Sequence, residues 1–214
     1  MKRNDWIFLI VVVVAVGGAV AGFFGWIHSF SHAGPTAAAG TSAAGGGSGG
    51  GASGQSISNR VIIPSIGANA PLVPEGASGP DGGAFDVPNS VHVVGWWDGQ
   101  WQSPNGLVSE KVARPGDPGV ALLAGHIDSA AQGHGALYYL QQIKTGAEVT
   151  VYGASGSVTK WKVTRLQVVS KDALPASLFV NTGPPQLAVV SCGGPFDSAT
   201  GHYVDNVIAW AAPA

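Results

Sequence analysis

The sequence predicts an all-β domain, an eight-stranded closed barrel with one or two short helices, preceded by a single transmembrane helix. A nearly unbroken apolar run fills positions 6–27, which is long enough to cross a bilayer as a helix. From Arg60 onward, short runs rich in Val and Ile are separated by Gly and Pro turns. Little of this region has helical spacing, and closing the sheet into a barrel removes its exposed edges.

The N-terminal segment has the charge pattern of a membrane anchor. Lys2 and Arg3 are the basic residues that precede the apolar run, and the next one in the chain is Arg60. Because basic residues favour the cytoplasmic side, residues 1–5 are predicted to be cytoplasmic and 6–27 to be the anchor in the plasma membrane. A cleaved signal peptide is the alternative, although its apolar region is usually shorter.

Residues 28–58 are dominated by Gly, Ala and Ser. Such a composition cannot bury a core, so this segment is predicted to be a flexible linker. Residues 59–214 then form one extracellular domain of ordinary size.

The predicted strands alternate with turn signals along this domain. The alternation in 158–169 slips once, and the proline at position 71 suits an edge strand. Residues 98–117 are predicted to form a long loop, and 136–143 a short helix. The eight predicted strands are 60–63, 70–73, 90–97, 120–124, 148–152, 158–169, 187–192 and 206–210.

Composition limits the kinds of function. The chain carries 10 basic and 12 acidic residues, for a formal net charge of −2, and shows no basic patch for nucleic acid. Its single cysteine cannot form an internal disulfide. An unpaired thiol outside the cell favours a reactive role, with a buried inert cysteine as the alternative.

Two apolar runs end at complementary chemical groups. One leads through Val190 into Cys192 and two glycines, where a turn is expected, and the other leads through Ala124 into His126. A thiol and an imidazole are the components of a Cys–His nucleophile pair, because the imidazole can take the thiol's proton or stabilise the thiolate as imidazolium.

The segments "LLAGHID" and "VVSCGG" resemble the two active-site signatures of sortases. "CGGPFDSATGHYVDNVIAWA" is similar to the actinobacterial class E/F branch, and class F is favoured. The resemblance implies a barrel enzyme on the outer face of the membrane that cleaves an LPXTG-like sorting signal. Its thioacyl product passes to an amine on a peptidoglycan precursor or a pilin, without a cofactor. Carried over, Cys192 is the nucleophile and His126 its acid/base or imidazolium partner.

The family also implies an arginine on the last strand, which this sequence lacks. Val204 and Asn206 are the aligned candidates, and Asn206 could donate a weak hydrogen bond to an oxyanion. The N–H of Gly193 is another possible donor, and Arg114 a possible replacement for the missing charge.

Two other functions are weighed against the transpeptidase. A degenerate, weakly active or non-catalytic barrel that binds sorting-signal peptides would explain the missing arginine. A zinc site is the second. Its ligand types would come from Cys192, His126, Asp128, His134 and His202, but their spacing matches no compact zinc motif, so no metal is predicted.

Overall fold

The computed structural model describes residues 59–78, 84–103 and 106–214. The predicted cytoplasmic segment, anchor and linker, residues 1–58, lie outside the described residues. Within the three described ranges, none of the helices has the length and apolarity needed to cross a bilayer.

Twelve strands and three short 3-10 helices make up these ranges. The helices are Pro64–Ile66, Leu140–Gln142 and Ala176–Phe179. The strands are β1 (Arg60–Ile63), β2 (Ala68–Ser78), β3 (Ala84–Phe85), β4 (Val94–Ser103), β5 (Gly106–Ser109), β6 (Val120–Ala124), β7 (Asp128–Ser129), β8 (Gly133–His134), β9 (Glu148–Tyr152), β10 (Val158–Ser170), β11 (Gln186–Asp197) and β12 (His202–Pro213).

Eight of the strands form a closed barrel. The ring follows the order β2-β1-β9-β10-β12-β11-β6-β4, and a parallel pairing between β4 and β2 closes it. Strands β3 and β5 extend the sheet beyond this ring, and β7 pairs with β8 as a separate hairpin. The predicted eight-stranded barrel is therefore confirmed.

Alternation along the strands divides the apolar side chains into two clusters. The inner cluster draws residues from all eight strands of the ring, including Leu123 and Val189, and fills the barrel. The outer cluster lies on the outside of β6, β11 and β12, where Val190 and Ile208 pack with Leu178 of the third 3-10 helix. The candidate site residues described below continue the outer face toward one end of these strands.

The predicted loop over 98–117 is wrong in its first half. Strand β4 runs on to Ser103 and turns back into β5, with Trp101 opposite Val108. This hairpin extends the sheet beyond the ring, and its Leu107 is exposed. Its composition therefore reads as a loop, although its backbone groups pair as a ladder.

The predicted short helix over 136–143 is confirmed only in part, because Leu140–Gln142 alone is helical and that turn is 3-10. Leu137, Leu140 and Ile143 are buried in the inner cluster. Their spacing of three fits a 3-10 turn as well as one face of an α-helix.

Strand β2 is not at an edge, contrary to the expectation from Pro71. It pairs with β1 on one side and with β4 on the other. Pro71 lies opposite Arg60, the first residue of β1, and the β4 pairing begins one residue later at Leu72. Proline has no backbone N–H, and Pro71 lies where the pairing of β2 with β1 ends and its pairing with β4 begins.

The slip in the alternation of β10 is confirmed as a bulge. The register with β12 shifts between Val163 and Arg165. The hydroxyl of Thr164, the residue between them, donates to the carbonyl of Trp210 at 3.2 Å. A bulge inserts one residue into one strand and so shifts the alternation of the side chains after it.

The glycines after Cys192 form a bulge rather than the predicted turn. Strand β11 continues to Asp197, with its register against β12 shifting between Gly193 and Phe196. Gly194 has a φ of +73°, and a Cβ on Gly193 would overlap Cγ2 of Val207. The two glycines let the neighbouring strand β12 approach β11 closely beside the cysteine.

Substitution of Gly193 by alanine is expected to lower the free energy of unfolding by about 1–3 kcal/mol, the usual cost of overpacking a core. Val207 is buried, so its side chain has little room to withdraw. Denaturant unfolding of Gly193→Ala, Val207→Ala and the double variant measures this. The double variant should lose less than the sum of the two single losses, and additive losses would contradict the overlap.

Candidate active site

Cys192 lies in β11 just beyond its pairing with β6, and His126 follows β6 at the same end of the barrel. Strands β11 and β6 pair in parallel, with Val190 opposite Ala124. Each functional residue comes two positions after its member of that pair, and the Gly125 N–H still donates to the Val190 carbonyl at 3.1 Å. Cys192 lies on the face of the outer cluster and is 8% exposed. The two sequence motifs are thus brought to one end of the barrel.

The sulfur of Cys192 contacts a cation that the sequence reasoning did not select. Nζ of Lys171 donates to Sγ of Cys192 at 3.2 Å. Lys171 directly follows β10, and its backbone N–H donates to the carbonyl of Val204 at 3.2 Å. The ammonium therefore reaches the thiol from the strand beside the position where the family pattern places arginine.

Asn206 lies beside the cysteine on the neighbouring strand β12. It is opposite Cys192 in the β11–β12 ladder, and its alternation with Ile208 places its side chain on the outer face. The residue is fully buried, and neither its amide nitrogen nor its amide oxygen has a hydrogen-bond partner among the described residues. An unsatisfied buried amide is costly, which marks Asn206 as a group that a ligand could satisfy.

The imidazole of His126 is held by a backbone carbonyl. Its Nε2 lies 2.9 Å from the carbonyl oxygen of Pro88. Since that oxygen can only accept, Nε2 carries the proton, and the lone pair of the neutral ring is on Nδ1. Burial lowers the pKa of His126 below its ordinary value. The hydrogen bond to Pro88 raises the pKa, the charge of Lys171 lowers it further, and the charge of Asp128 raises it, without cancelling the effect of burial. A neutral imidazole can act as a base.

The carboxylate of Asp128 is bonded to a tyrosine rather than to His126. The hydroxyl of Tyr203 donates to Oδ2 of Asp128 at 2.7 Å. Burial and then Asp128 raise the pKa of Tyr203 to about 12, so this hydroxyl stays protonated and keeps donating. The contact ties the hairpin after His126 to the last strand.

Arg114, a predicted replacement for the missing arginine, lies at the other end of the barrel. It precedes β6, whereas His126 follows that strand. Its guanidinium is 5.2 Å from the ring centroid of Trp96. With Tyr152 it lines a cavity of about 410 Å³, so it does not supply charge to Cys192.

The residues considered for zinc do not form a metal site. In the described ranges, no group of three or more His, Cys, Asp or Glu side chains is arranged to hold a metal ion. His134 instead stacks on Tyr138, with ring centroids 3.5 Å apart.

Lowering the pH from about 7 to 5 should destabilise the wild-type protein more than a His126→Gln variant. The folded-state pKa of His126 lies below the ordinary 6.5, so the unfolded chain takes up the proton first. Stability is therefore full above pH 6.5 and is lost as the pH falls through 6.5 toward the lowered pKa.

Denaturant unfolding of both proteins across this range measures the difference. The raised pKa of Glu75 has the opposite effect on stability, but it is present in both proteins and cancels in the comparison. Equal pH dependence in the two proteins would contradict a lowered pKa for His126.

Comparison with known proteins gives a consistent result. The family model described as Sortase domain matches residues 61–214. Sortase C1 of Streptococcus agalactiae aligns with a TM-score of 0.50 and 17% identity over 72% of this chain and 67% of that one. Sortase A from Corynebacterium diphtheriae aligns with a TM-score of 0.51 and 18% identity over 72% of this chain and 59% of that one. Sortase C-1 from Actinomyces oris aligns with a TM-score of 0.50 and 19% identity over 72% of each chain. No curated protein sequence matches. At these identities the structural likeness shows a shared fold.

Proposed function

This chain belongs to the sortase family of cysteine transpeptidases, and we propose that it forms a thioacyl intermediate on Cys192 and transfers the acyl group to an amine. One observation carries the proposal. The chain's single thiol lies on β11 just beyond its pairing with β6, with an ammonium 3.2 Å from its sulfur and with His126 after the end of β6, the adjacent parallel strand. A nucleophile, a cation and a base are the groups that thiol acyl transfer requires.

The acylation step uses His126 twice. Its Nδ1 takes the proton of the Cys192 thiol, and the sulfur bonds to the carbonyl carbon of the scissile amide while an electron pair moves to the carbonyl oxygen. As this pair returns, the carbon–nitrogen bond breaks and the leaving amine takes the proton from the imidazolium. The acyl group is left on sulfur as a thioester.

The transfer step reverses these proton movements. The acceptor amine bonds to the thioester carbon and gives a proton to His126, the carbon–sulfur bond breaks, and its electron pair returns to Cys192. Water in place of the amine would give hydrolysis.

The finer assignments rest on the sequence motifs. The segment 192–211 supports membership of class F within the family. We infer an LPXTG-like sorting signal on secreted proteins as the substrate and an amine of a peptidoglycan precursor or pilin as the acceptor, which makes this a cell-wall enzyme.

The proposed location is the plasma membrane. The apolar run 6–27 and the preceding Lys2 and Arg3 support a single anchor with a cytoplasmic N-terminus and an extracellular catalytic domain. Protease added to intact protoplasts should digest the domain, and a protected domain would refute this orientation.

A peptide library tests the activity. Purified domain is incubated with LPXTG-like peptides with and without an added amine, and the products are identified by mass spectrometry. The expected result is cleavage between Thr and Gly, a thioacyl adduct on Cys192 and an amine-capped product. Binding without cleavage would favour the alternative of a non-catalytic peptide-binding barrel.

A further inference from the structure

We propose that Lys171 is the catalytic cation of this site and replaces the last-strand arginine expected from the family pattern. The inference rests on the proposed function. It assigns to a residue outside both sequence motifs the tasks of stabilising the thiolate of Cys192 and the oxyanion that forms on the substrate.

Strand register carries the first part of the argument. The Lys171 N–H donates to the Val204 carbonyl, so the two residues are neighbours on adjacent strands. Val204 alternates with Asn206, which lies opposite Cys192. A charged side chain at position 171 therefore lies on the same face of the sheet as one at position 204 would. It differs only in coming from the neighbouring strand. The Nζ–Sγ distance of 3.2 Å shows that the lysine side chain is long enough.

The surrounding charges leave the ammonium directed at sulfur. The adjacent Asp172 accepts a hydrogen bond from the Ser170 hydroxyl at 2.7 Å, and Asp128 accepts one from Tyr203. Burial first, and the charge of Lys171 to a smaller extent, lower the pKa of His126 below its ordinary value, which favours the neutral imidazole at pH 7. Lys171 thus supplies positive charge, and His126 remains available to move protons.

The chemistry of an ammonium suits both tasks. A cation at hydrogen-bond distance favours the ionised form of a thiol. When the sulfur bonds to the substrate carbonyl, negative charge moves from sulfur to the adjacent oxygen. The three N–H groups of lysine can follow it without the fixed geometry of a guanidinium. The buried amide of Asn206, which has no hydrogen-bond partner among the described residues, lies on the same face opposite Cys192.

The first experiment removes the charge while keeping most of the side chain. Lys171→Met should lower kcat/KM for an LPXTG-like peptide by about 10²- to 10³-fold, the usual loss for one oxyanion donor. Lys171→Arg should retain most of the activity. Lys162→Met is the matched control, because Lys162 is an exposed lysine of β10, the strand that Lys171 follows, and its activity should be unchanged.

A second readout needs no peptide. Iodoacetamide is neutral, so its rate of reaction with Cys192 at pH 7 reports the thiolate fraction. Lys171→Met should react about tenfold more slowly than wild type or Lys162→Met, with retained fold checked by circular dichroism. If Lys171→Met does not fold, Lys171→Gln and Lys171→Arg provide the comparison. An unchanged alkylation rate in a folded, uncharged variant overturns the proposal.

A relocated charge completes the test. Val204 is 41% exposed, so it can accept a longer side chain. Val204→Arg should restore activity to Lys171→Met but add little to the wild type, which already has its cation. A large gain in the wild type would overturn the proposal. If no variant, including wild type, cleaves any peptide, the proposed function fails, and alkylation rates still decide whether Lys171 stabilises the thiolate.

Discussion

Replacing Cys192 with alanine is expected to abolish peptide cleavage and thioacyl capture. The chain contains one cysteine, so no other thiol can form the intermediate. The substitution removes a side chain that is 8% exposed at the end of the outer cluster, and its effect on stability should be small compared with its effect on rate. Mass spectrometry of the enzyme after incubation with substrate, and a fluorogenic peptide assay, measure the two losses.

The same variant should still bind the peptide. Lys171, His126 and Asn206 keep their strand positions in Cys192→Ala, so binding measured by fluorescence anisotropy should persist and serves as the control for folding. Cleavage by Cys192→Ala above the buffer background would rule out the thioacyl mechanism.

His126→Ala should lower the acylation rate by about 10²- to 10⁴-fold, the range expected for loss of a general acid/base. The leaving amine then has no group to protonate it. Single-turnover release of the C-terminal peptide fragment measures this step directly. His92→Ala is the control, because His92 is an exposed imidazole outside the site.

The alkylation rate distinguishes the histidine from the lysine. If Lys171 supplies the positive charge, His126→Ala should react with iodoacetamide closer to the wild-type rate than Lys171→Met does. A slower reaction in the histidine variant than in the lysine variant would mean that an imidazolium, not the ammonium, holds the thiolate.

Much of this arrangement can be predicted because the informative residues are buried and local. The apolar runs before Cys192 and His126 identify two strands, and the parallel pairing of β6 with β11 places those strands side by side. The slip in the alternation of 158–169 coincides with the bulge, and before it Trp161 and Val163 are buried in the inner cluster.

Lys171 could not be selected by local pattern. It lies 21 residues before Cys192 and, by sequence, is one more charge after a strand. Its position becomes visible only from the pairing of β10 with β12, which sets it beside Val204. Lys171 can therefore be found only once the strand pairing is known. When a charge is missing from one strand, its replacement has to be looked for at the paired position of the neighbouring strand.

The errors in the strand boundaries have a different origin. Beyond Cys192, β11 and β12 leave the core and continue as a two-stranded extension to Asp197 and from His202. Their backbone groups pair, but their side chains meet solvent. The apolar run in the sequence therefore stops before the hydrogen-bonded strand does. The β4–β5 hairpin fails to show in the sequence for the same reason.

The position of β12 in the ring has a consequence for synthesis. This strand, His202–Pro213, lies between β10 and β11, so the barrel cannot close while those residues are still inside the ribosome. Until they emerge, β10 and β11 present unpaired edges that invite association between nascent chains. Lys171, directly after β10, and Cys192 of β11 lie on either side of β12, so their contact needs this last strand in place. The proposed activation of Cys192 by Lys171 would therefore follow translation of β12.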